Sequence, residues 1–341
     1  MEGRRVLVTG GSGSIGSRLV ARLLELGPEV VRVLGRDETK QFHQRQLHGD
    51  RPDLRLLIGD IRDRDRLVRA LEGIDLVFHC AALKHVESGE YNPFEVTQTN
   101  VTGTQNVIDA CLQAGVGTMI LTSSDKAANP TSVMGASKLL AEKLVTAATN
   151  YRGSRPTTFA SVRFGNVLGS RGSALDLFAG QIAAGGPVTV TDPDMTRFVM
   201  SVERAVELAI QAARMARGGE MLVFKMPAAR LGDLVAAAIA VHAPRHGRRP
   251  EEIETVRVGP RVGEKAFEEL MTADEAGRAR DIGEMFAVLP AIDLHRDVVE
   301  GYVDSPMAPA RAYRSDAVEP LPRAELERLL ASAPFRPAAE A

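Results

Sequence analysis

The stretch that decides the fold is Arg4-Arg5-Val6-Leu7-Val8-Thr9-Gly10-Gly11-Ser12-Gly13-Ser14-Ile15-Gly16. An apolar, β-branched run leads into glycines spaced three apart, at 10, 13 and 16. A helical pattern follows, with apolar residues at Ile15, Leu19, Leu23 and Leu26. In a strand–turn–helix of this kind, Gly10 permits the tight turn, Gly13 lets backbone approach a pyrophosphate, and Gly16 lets the helix pack close to the sheet. The helix start then offers unpaired N–H groups and the positive end of a dipole to an anion. Gly10, Gly13, Ser14, Ile15 and Gly16 are therefore the candidate cradle for a dinucleotide. The bland alternative is a glycine-rich turn with no ligand.

The same alternation continues outward. Short apolar runs at 30–34, 54–58, 76–79, 119–122 and 158–164 read as strands, and 63–71, 101–114 and 133–148 read as helices between them. Strands alternating with helices predict an α/β protein, a Rossmann-type doubly wound parallel sheet covered on both faces. After Gly165 the rhythm breaks, with Gly169, Gly172, Gly185-Gly186-Pro187 and Pro193. We expect a dinucleotide-binding domain over 1–165 and a smaller C-terminal substrate-binding lobe over 166–341, interleaved with the end of the sheet. A last short helix is predicted near Ala324–Ala331.

Composition limits the function. The chain has 341 residues, 44% apolar and 25% charged, enough for a large core and inconsistent with wholesale disorder. Lys plus Arg is 42 against 44 for Asp plus Glu, so no global basic field draws it to nucleic acid or to anionic membrane. There is no Trp, and aromatics are 4%, too few for base-stacking platforms. Two cysteines, Cys80 and Cys111, cannot build a disulfide scaffold or a four-ligand zinc site, so no metal is expected. His79-Cys80 reads as packing at a strand end rather than as metal ligation. No run reaches the ~20 apolar residues of a membrane helix, and the first strand begins too early for a signal peptide. These features predict a soluble, cytoplasmic protein.

The residue that reads the adenine ribose lies about 20 residues past the glycines, at the end of the second strand. Asp37 falls at that count, but the strand ends at Leu34-Gly35, where an NAD-type carboxylate is missing. Arg36 follows at once and Lys40 one turn later, two cations suited to a 2′-phosphate. The reading is NADP, with NAD as the rival and an ordinary solvated loop as the bland alternative. Asp60, with Ile61 behind it, follows the third strand and is placed to meet adenine.

The fifth strand ends as Leu121-Thr122-Ser123-Ser124-Asp125-Lys126, and the next helix carries Met134 and Lys138, on one face at i, i+4. An acid and a base at the carboxyl end of a strand suit an elimination: a neutral Lys126 takes a proton from carbon and a protonated Asp125 gives one to a departing hydroxyl. An isolated Asp–Lys pair would read instead as a surface salt bridge. The wider context is Ser123 to Pro130 with Met134-Gly135-Ala136-Ser137-Lys138. It includes Ala81-Ala82-Leu83-Lys84-His85-Val86, Thr99-Asn100-Val101, Arg163-Phe164-Gly165-Asn166-Val167 and Ser170-Arg171-Gly172-Ser173, together with Thr191 to Phe198 and Gly263-Glu264-Lys265.

This set resembles the extended short-chain dehydrogenase/reductase superfamily, and within it the inverting UDP-N-acetylglucosamine 4,6-dehydratases of polysaccharide biosynthesis. The resemblance spans nearly the whole chain, departing at Glu87-Ser88-Gly89 and Thr97-Gln98. In the superfamily a Ser or Thr closes the fifth strand, here Ser124, and a Tyr stands four residues before the Lys; here that position is Met134, which cannot move a proton. The resemblance implies catalytic roles for Ser124, Asp125, Lys126 and Lys138, with Lys138 on the nicotinamide ribose. It implies cofactor contacts from Ala81, Ala82, Lys84 and Asn100. It implies a nucleotide-sugar substrate, UDP-N-acetylglucosamine favoured, held by Lys84, Asn166, Arg171, Thr189, Arg197, Arg261 and Glu264. It also implies a homo-oligomer. A 4-epimerase and a silent NADP-binding protein are the competing readings.

Overall fold

The computed structural model describes residues 1–170, 172–259, 263–292 and 300–332. The chain divides into two compact units. The first draws on Met1–Phe164, Val206–Lys225 and Met271–Ala312. Its sheet strands are β1 (Arg5–Thr9), β2 (Val30–Gly35), β3 (Leu54–Ile58), β4 (Leu76–His79), β5 (Thr118–Thr122) and β6 (Thr158–Arg163), in chain order. Its helices are α1 (Ser14–Glu25), α2 (Glu38–His48), α3 (Arg64–Leu71), α4 (Val86–Tyr91), α5 (Pro93–Val96), α6 (Gly103–Ala114) and α7 (Val133–Tyr151). The strand order β3-β2-β1-β4-β5-β6 reverses direction at β1/β4, the place where open α/β sheets bind ligands. Val8 lies level with Val33 on one side and Phe78 on the other, and all three are fully buried. Such continuous apolar runs belong to parallel strands covered on both faces.

Each covering helix supplies one apolar stripe. In α1 the buried residues are Gly16, Leu19, Val20, Leu23 and Leu24, a spacing that lines one helical face. Leu67 of α3, Ile108 of α6 and Val145 of α7 join Leu7, Val77 and Met119 of the strands in one cluster. Each such side chain contributes about 1.5–3 kcal/mol when fully buried.

The glycine- and proline-rich second half hides a return to the main sheet. After Phe164 the chain forms β7 (Asn166–Leu168), α8 (Ala174–Ala184), β8 (Val188–Val190) and β9 (Thr196–Ser201). It then re-enters the first unit through α9 (Val202–Met215) and β10 (Met221–Phe224), which pairs parallel with β6. It leaves for β11 (Ala228–Arg230), α10 (Leu231–His242), β12 (Thr255–Arg257) and β13 (Glu269–Met271). It returns with α11 (Ala273–Ala276), β14 (Ala279–Asp281) and β15 (Met285–Val288). Among the described residues the sheet thus has nine strands, and β15 and β14 close one edge antiparallel. Residues 206–225 and 271–312 thus lie in the first unit, although they follow residue 165 in the chain. Their strands are short, and what makes them part of this sheet is pairing with residues far away in sequence.

The second unit comprises Gly165–Ala205, Met226–Leu270 and Tyr313–Ala341. It has a three-stranded sheet β11-β9-β7 and the pair β12-β8. Its core joins Leu175 and Phe178 of α8, Leu234 and Ile239 of α10, and Leu326 and Leu330 of the helix Arg323–Ser332.

Candidate active site

The glycine loop after β1 is folded as its spacing requires. Gly10 has φ of +66°, and the Gly13 amide donates to its carbonyl at 2.8 Å. A Cβ on Gly10 would stand 2.8 Å from Ala81 Cα, so the exits of β1 and β4 touch at the switch point. A Cβ on Gly16 would run into the Gly10 carbonyl oxygen. Gly13 is the N-cap of α1, and the first turn from Ser14 and Ile15 holds no acidic side chain to compete for its amides. This is a turn that only glycines can make, aimed by a helix start; it fits a dinucleotide pyrophosphate.

At the end of β2 the structure explains Asp37. Its side chain caps α2, accepting the Lys40 amide at 2.9 Å, and pairs with Lys40 Nζ at 2.8 Å. Arg36 lies beside it, half exposed, 3.5 Å from Asp60. Asp60 accepts the Arg62 amide at 2.9 Å and its Nε at 3.0 Å. Burial works against the Asp60 carboxylate, but these partners win and hold its pKa below the usual range. Ile61 turns into the core, where a Cβ on Gly103 would meet it at 2.7 Å. Two residues unassigned from sequence brace this end: Gln41 donates to Gly35 and Leu57 carbonyls, and Gln44 to the Gly11 carbonyl.

Behind the β4 exit lies a sealed polar network. His79 is fully buried between the Thr9 hydroxyl at Nδ1, 2.6 Å, and the Thr104 hydroxyl at Nε2, 3.1 Å. Thr104 in turn donates to the Asn100 carbonyl at 2.6 Å, which assigns the proton to Nε2. Burial, with the Lys138 charge, pushes the His79 pKa down to about 3. Asn100 is likewise buried; its amide donates to Leu83 O and Ser137 Oγ, and accepts the Leu83 amide. Its observed work is to tie the Ala81–Leu83 loop to α7. Lys84 follows on the exposed surface.

The acid–base pair sits at the β5 exit. Asp125 is 5% exposed and its carboxylate meets Lys126 Nζ at 3.0 and 3.2 Å, while the lysine side chain is 36% exposed. Ser124 Oγ donates to Asp125 Oδ1 at 2.7 Å. The start of α7 presses against this turn: a Cβ on Gly135 would collide with the Lys126 carbonyl. Ser132 caps the helix through the Gly135 amide, and Glu90 accepts the Val133 amide at 2.7 Å. One turn along, Met134 is buried and Lys138 Nζ donates to the Thr122 carbonyl at 3.0 Å. Burial lowers the Lys138 pKa to about 8, with Cys80 and Glu142 opposing the shift.

Glu142 leads to a second cluster that sequence reading missed. Arg163 at the end of β6 is fully buried, with Nη2 2.6 Å from Glu142 and Nη1 2.9 Å from Glu275. Burial alone would lower the arginine's pKa; the two carboxylates raise it instead. The Arg163 motif was legible, but 112 residues separate it from Glu275, and nothing local signals the pairing.

In the second unit, the described residues read as nucleotide contacts are hydrogen-bonded to neighbouring protein groups. Asn166 Nδ2 donates to Glu268 at 2.7 Å and to the Phe198 carbonyl at 3.0 Å. Arg197 faces Glu264 at 2.8 Å, Glu268 at 3.7 Å and the carbonyls of Thr196 and Lys265. Glu264 also accepts the Thr191 hydroxyl at 3.1 Å. Thr189 is bound through amide and hydroxyl to Gln181. Arg171 and Arg261 lie outside the described residues. Glu268, buried at this hub, was not anticipated. No cluster of metal-ligating side chains occurs among the described residues, and no helix there is long and apolar enough to cross a membrane.

A glycine cradle at the switch point, a β5-exit serine and a lysine one turn into the following helix define the extended short-chain dehydrogenase/reductase class. The comparisons place the chain more narrowly: residues 6–290 match the polysaccharide biosynthesis protein family, and the chain belongs to it. It is 50% identical, over 84% of its length and 86% of the relative's, to an uncharacterized membrane protein of Methanocaldococcus jannaschii. It is 38% identical to a UDP-N-acetylglucosamine 4,6-dehydratase (inverting) of Campylobacter jejuni, over 85% of this chain and 84% of that one. A UDP-glucose 4-epimerase of Rickettsia canadensis is 36% identical over 84% of this chain and 82% of its own. The solved structure of Pen from Bacillus thuringiensis superposes with a TM-score of 0.90 at 41% identity, covering 98% of this chain and 99% of that one.

Proposed function

We propose that this protein is a nucleotide-sugar 4,6-dehydratase acting on UDP-N-acetylglucosamine with NADP, giving a 6-deoxy-4-keto sugar nucleotide. The observation that carries the proposal is the Asp125–Lys126 pair at the β5 exit, one acid and one base in contact, with Met134 where a reductase or epimerase of this class needs tyrosine. A nicotinamide held by the glycine cradle and Lys138 would supply the hydride acceptor for sugar C4 and the hydride donor for C6. Lys126 removes the C5 proton made acidic by the C4 ketone, and Asp125 protonates the C6 hydroxyl as water leaves. Lys138, buried and held by the Thr122 carbonyl, positions the nicotinamide ribose. Arg36 and Lys40 hold the 2′-phosphate, since Asp37 is committed to capping α2.

In the second unit, Glu264 accepts the ribose hydroxyls of the nucleotide, and Arg197 and Asn166 brace that wall. Arg261 is assigned to phosphate, Arg171 is a further substrate contact of this unit, and Lys84 is a substrate contact of the first unit. The proposed setting is cytoplasmic, with the chain assembled as a homo-oligomer.

The second reading, a 4-epimerase, is favoured by the Rickettsia relative. One experiment separates them: incubation with UDP-N-acetylglucosamine in heavy water, followed by mass spectrometry of the product. Loss of one water with deuterium at C5 is expected. An unchanged mass with altered C4 configuration would establish the epimerase, and bound NADP without turnover on a panel of UDP-, GDP- and dTDP-sugars would establish a silent protein.

A further inference from the structure

We infer that Ser124 replaces the missing tyrosine as the first acceptor of the C4 hydroxyl proton, passing its own proton to Asp125, which later delivers it to the leaving C6 hydroxyl. The inference rests on the dehydratase reading and names a residue for the one step that reading leaves without a group.

Three hydroxyls close β5, and their settings differ. Thr122 Oγ1 donates to the His79 carbonyl at 3.2 Å. Ser123 is buried, with its Oγ facing the interior. Ser124 is half-buried, and its proton already points at Asp125 Oδ1, 2.7 Å away. Its oxygen accepts the Lys126 amide at 3.3 Å, which fixes the side chain as the cap of the Asp125–Ala127 turn. A hydroxyl oxygen has two acceptor sites, so the second remains for an incoming sugar hydroxyl. The tyrosines offer no substitute: Tyr302 is bound to Glu220, Tyr313 to the Met226 backbone, and Tyr91 and Tyr151 are exposed.

The proton count closes. Asp125 starts as a carboxylate paired with the Lys126 ammonium. As hydride leaves C4, the C4 hydroxyl proton moves to Ser124 Oγ while the serine proton moves to Asp125. Neutralising Asp125 removes the counter-charge beside the ammonium, and Lys126 gives one proton to solvent. Neutral Lys126 then takes the C5 proton. Asp125 protonates the C6 oxygen, the C6–O bond breaks, and water departs carrying the proton that began on Ser124, while the C4 proton remains on the serine. Hydride adds to C6, Lys126 returns a proton to C5, and one proton from solvent restores the pair.

The test separates oxidation at C4 from exchange at C5. A UDP-6-deoxy-N-acetylglucosamine substrate has no leaving group, so its single-turnover reduction of bound NADP reports C4 oxidation alone. Exchange of C5–H with heavy water, started from the 6-deoxy-4-keto product, reports Lys126 without any hydride transfer. Ser124→Ala is expected to slow the first by about 100-fold or more, the range of general base catalysis, and to leave the second within about threefold. Ser124→Thr, which keeps the hydroxyl, is expected to recover most of the oxidation rate. Oxidation unchanged in Ser124→Ala, or both readouts falling together, would overturn the relay. If the wild-type protein neither oxidises the analogue nor exchanges C5–H, the dehydratase reading itself fails.

Discussion

Two ion-pair clusters sit at the ends of neighbouring strands in the first unit, and they are built oppositely. At the β5 exit, Asp125 is buried but its lysine partner is more than a third exposed, and a serine hydroxyl reaches the same carboxylate. At the β6 end, Arg163 shows no exposure and is clamped between Glu142 and Glu275. A pair in contact with solvent and a hydroxyl can exchange protons. A sealed arginine cannot lose its proton, so its cluster can only hold elements together. One pair is suited to chemistry, the other to fixing α7 and α11 against the sheet. Lys138 lies between them in character: it is buried, yet its cation is moderated by Glu142.

The sharpest way to break this contrast is to exchange the consequences. Lys126→Ala is expected to cut water loss by 10²–10⁴-fold, as removal of a general base does, with Tm shifted by no more than a degree or two. Thermal unfolding and product mass spectrometry on one sample check both halves. Arg163→Met should do the reverse, leaving two buried carboxylates without their cation, at a cost of about 3–5 kcal/mol read from denaturant unfolding. A mild loss of stability there would mean that the cluster is wetter than its geometry indicates.

Smaller effects sharpen the picture. Arg36→Ala with Lys40→Ala should weaken NADP by about 10–100-fold, the loss of charge-assisted hydrogen bonds to a phosphate. NAD binding should change little, and equal losses in titration calorimetry would refute the 2′-phosphate assignment.

The pKa of Lys138 is lowered to about 8 from an ordinary 10.5. The unfolded state therefore binds the proton more tightly, and the cost of burying the charge is present below pH 8 and relieved as pH rises toward 10.5. Stability should rise modestly across that window while cofactor affinity falls through about pH 8, as the ammonium proposed to hold the ribose is lost. Lys138→Arg should remove the break in the affinity profile. A wild-type profile flat between pH 7 and 9 would show that Lys138 does not touch the cofactor.

The comparison also explains what was readable. The Asp125–Lys126 pair and the Met134–Lys138 spacing are contiguous or one helical turn apart, so chain geometry alone brings them together. The Arg163 cluster depends on a carboxylate from a segment that has left the unit and returned. Asn166, Thr189 and Arg197 show the opposite limit. Their residue types suit a nucleotide, yet their hydrogen bonds go to Glu268, Gln181 and Glu264. Donors look alike in a sequence whether they face a ligand or a neighbouring carboxylate.

Neighbouring residues alone suffice for the glycine turn, the alternation of the first six strands, the absence of tyrosine at position 134, and the acidic and basic side chains after β5. These are local properties, written in backbone sterics and in periods of two and 3.6 residues. Tertiary structure alone decided that β10, β14 and β15 complete the main sheet, that Asp37 is a helix cap, that Asn100 ties the Ala81–Leu83 loop to α7, and that Glu275 meets Arg163. Each is a partnership whose strength comes from burial, and burial is settled only when distant segments have packed.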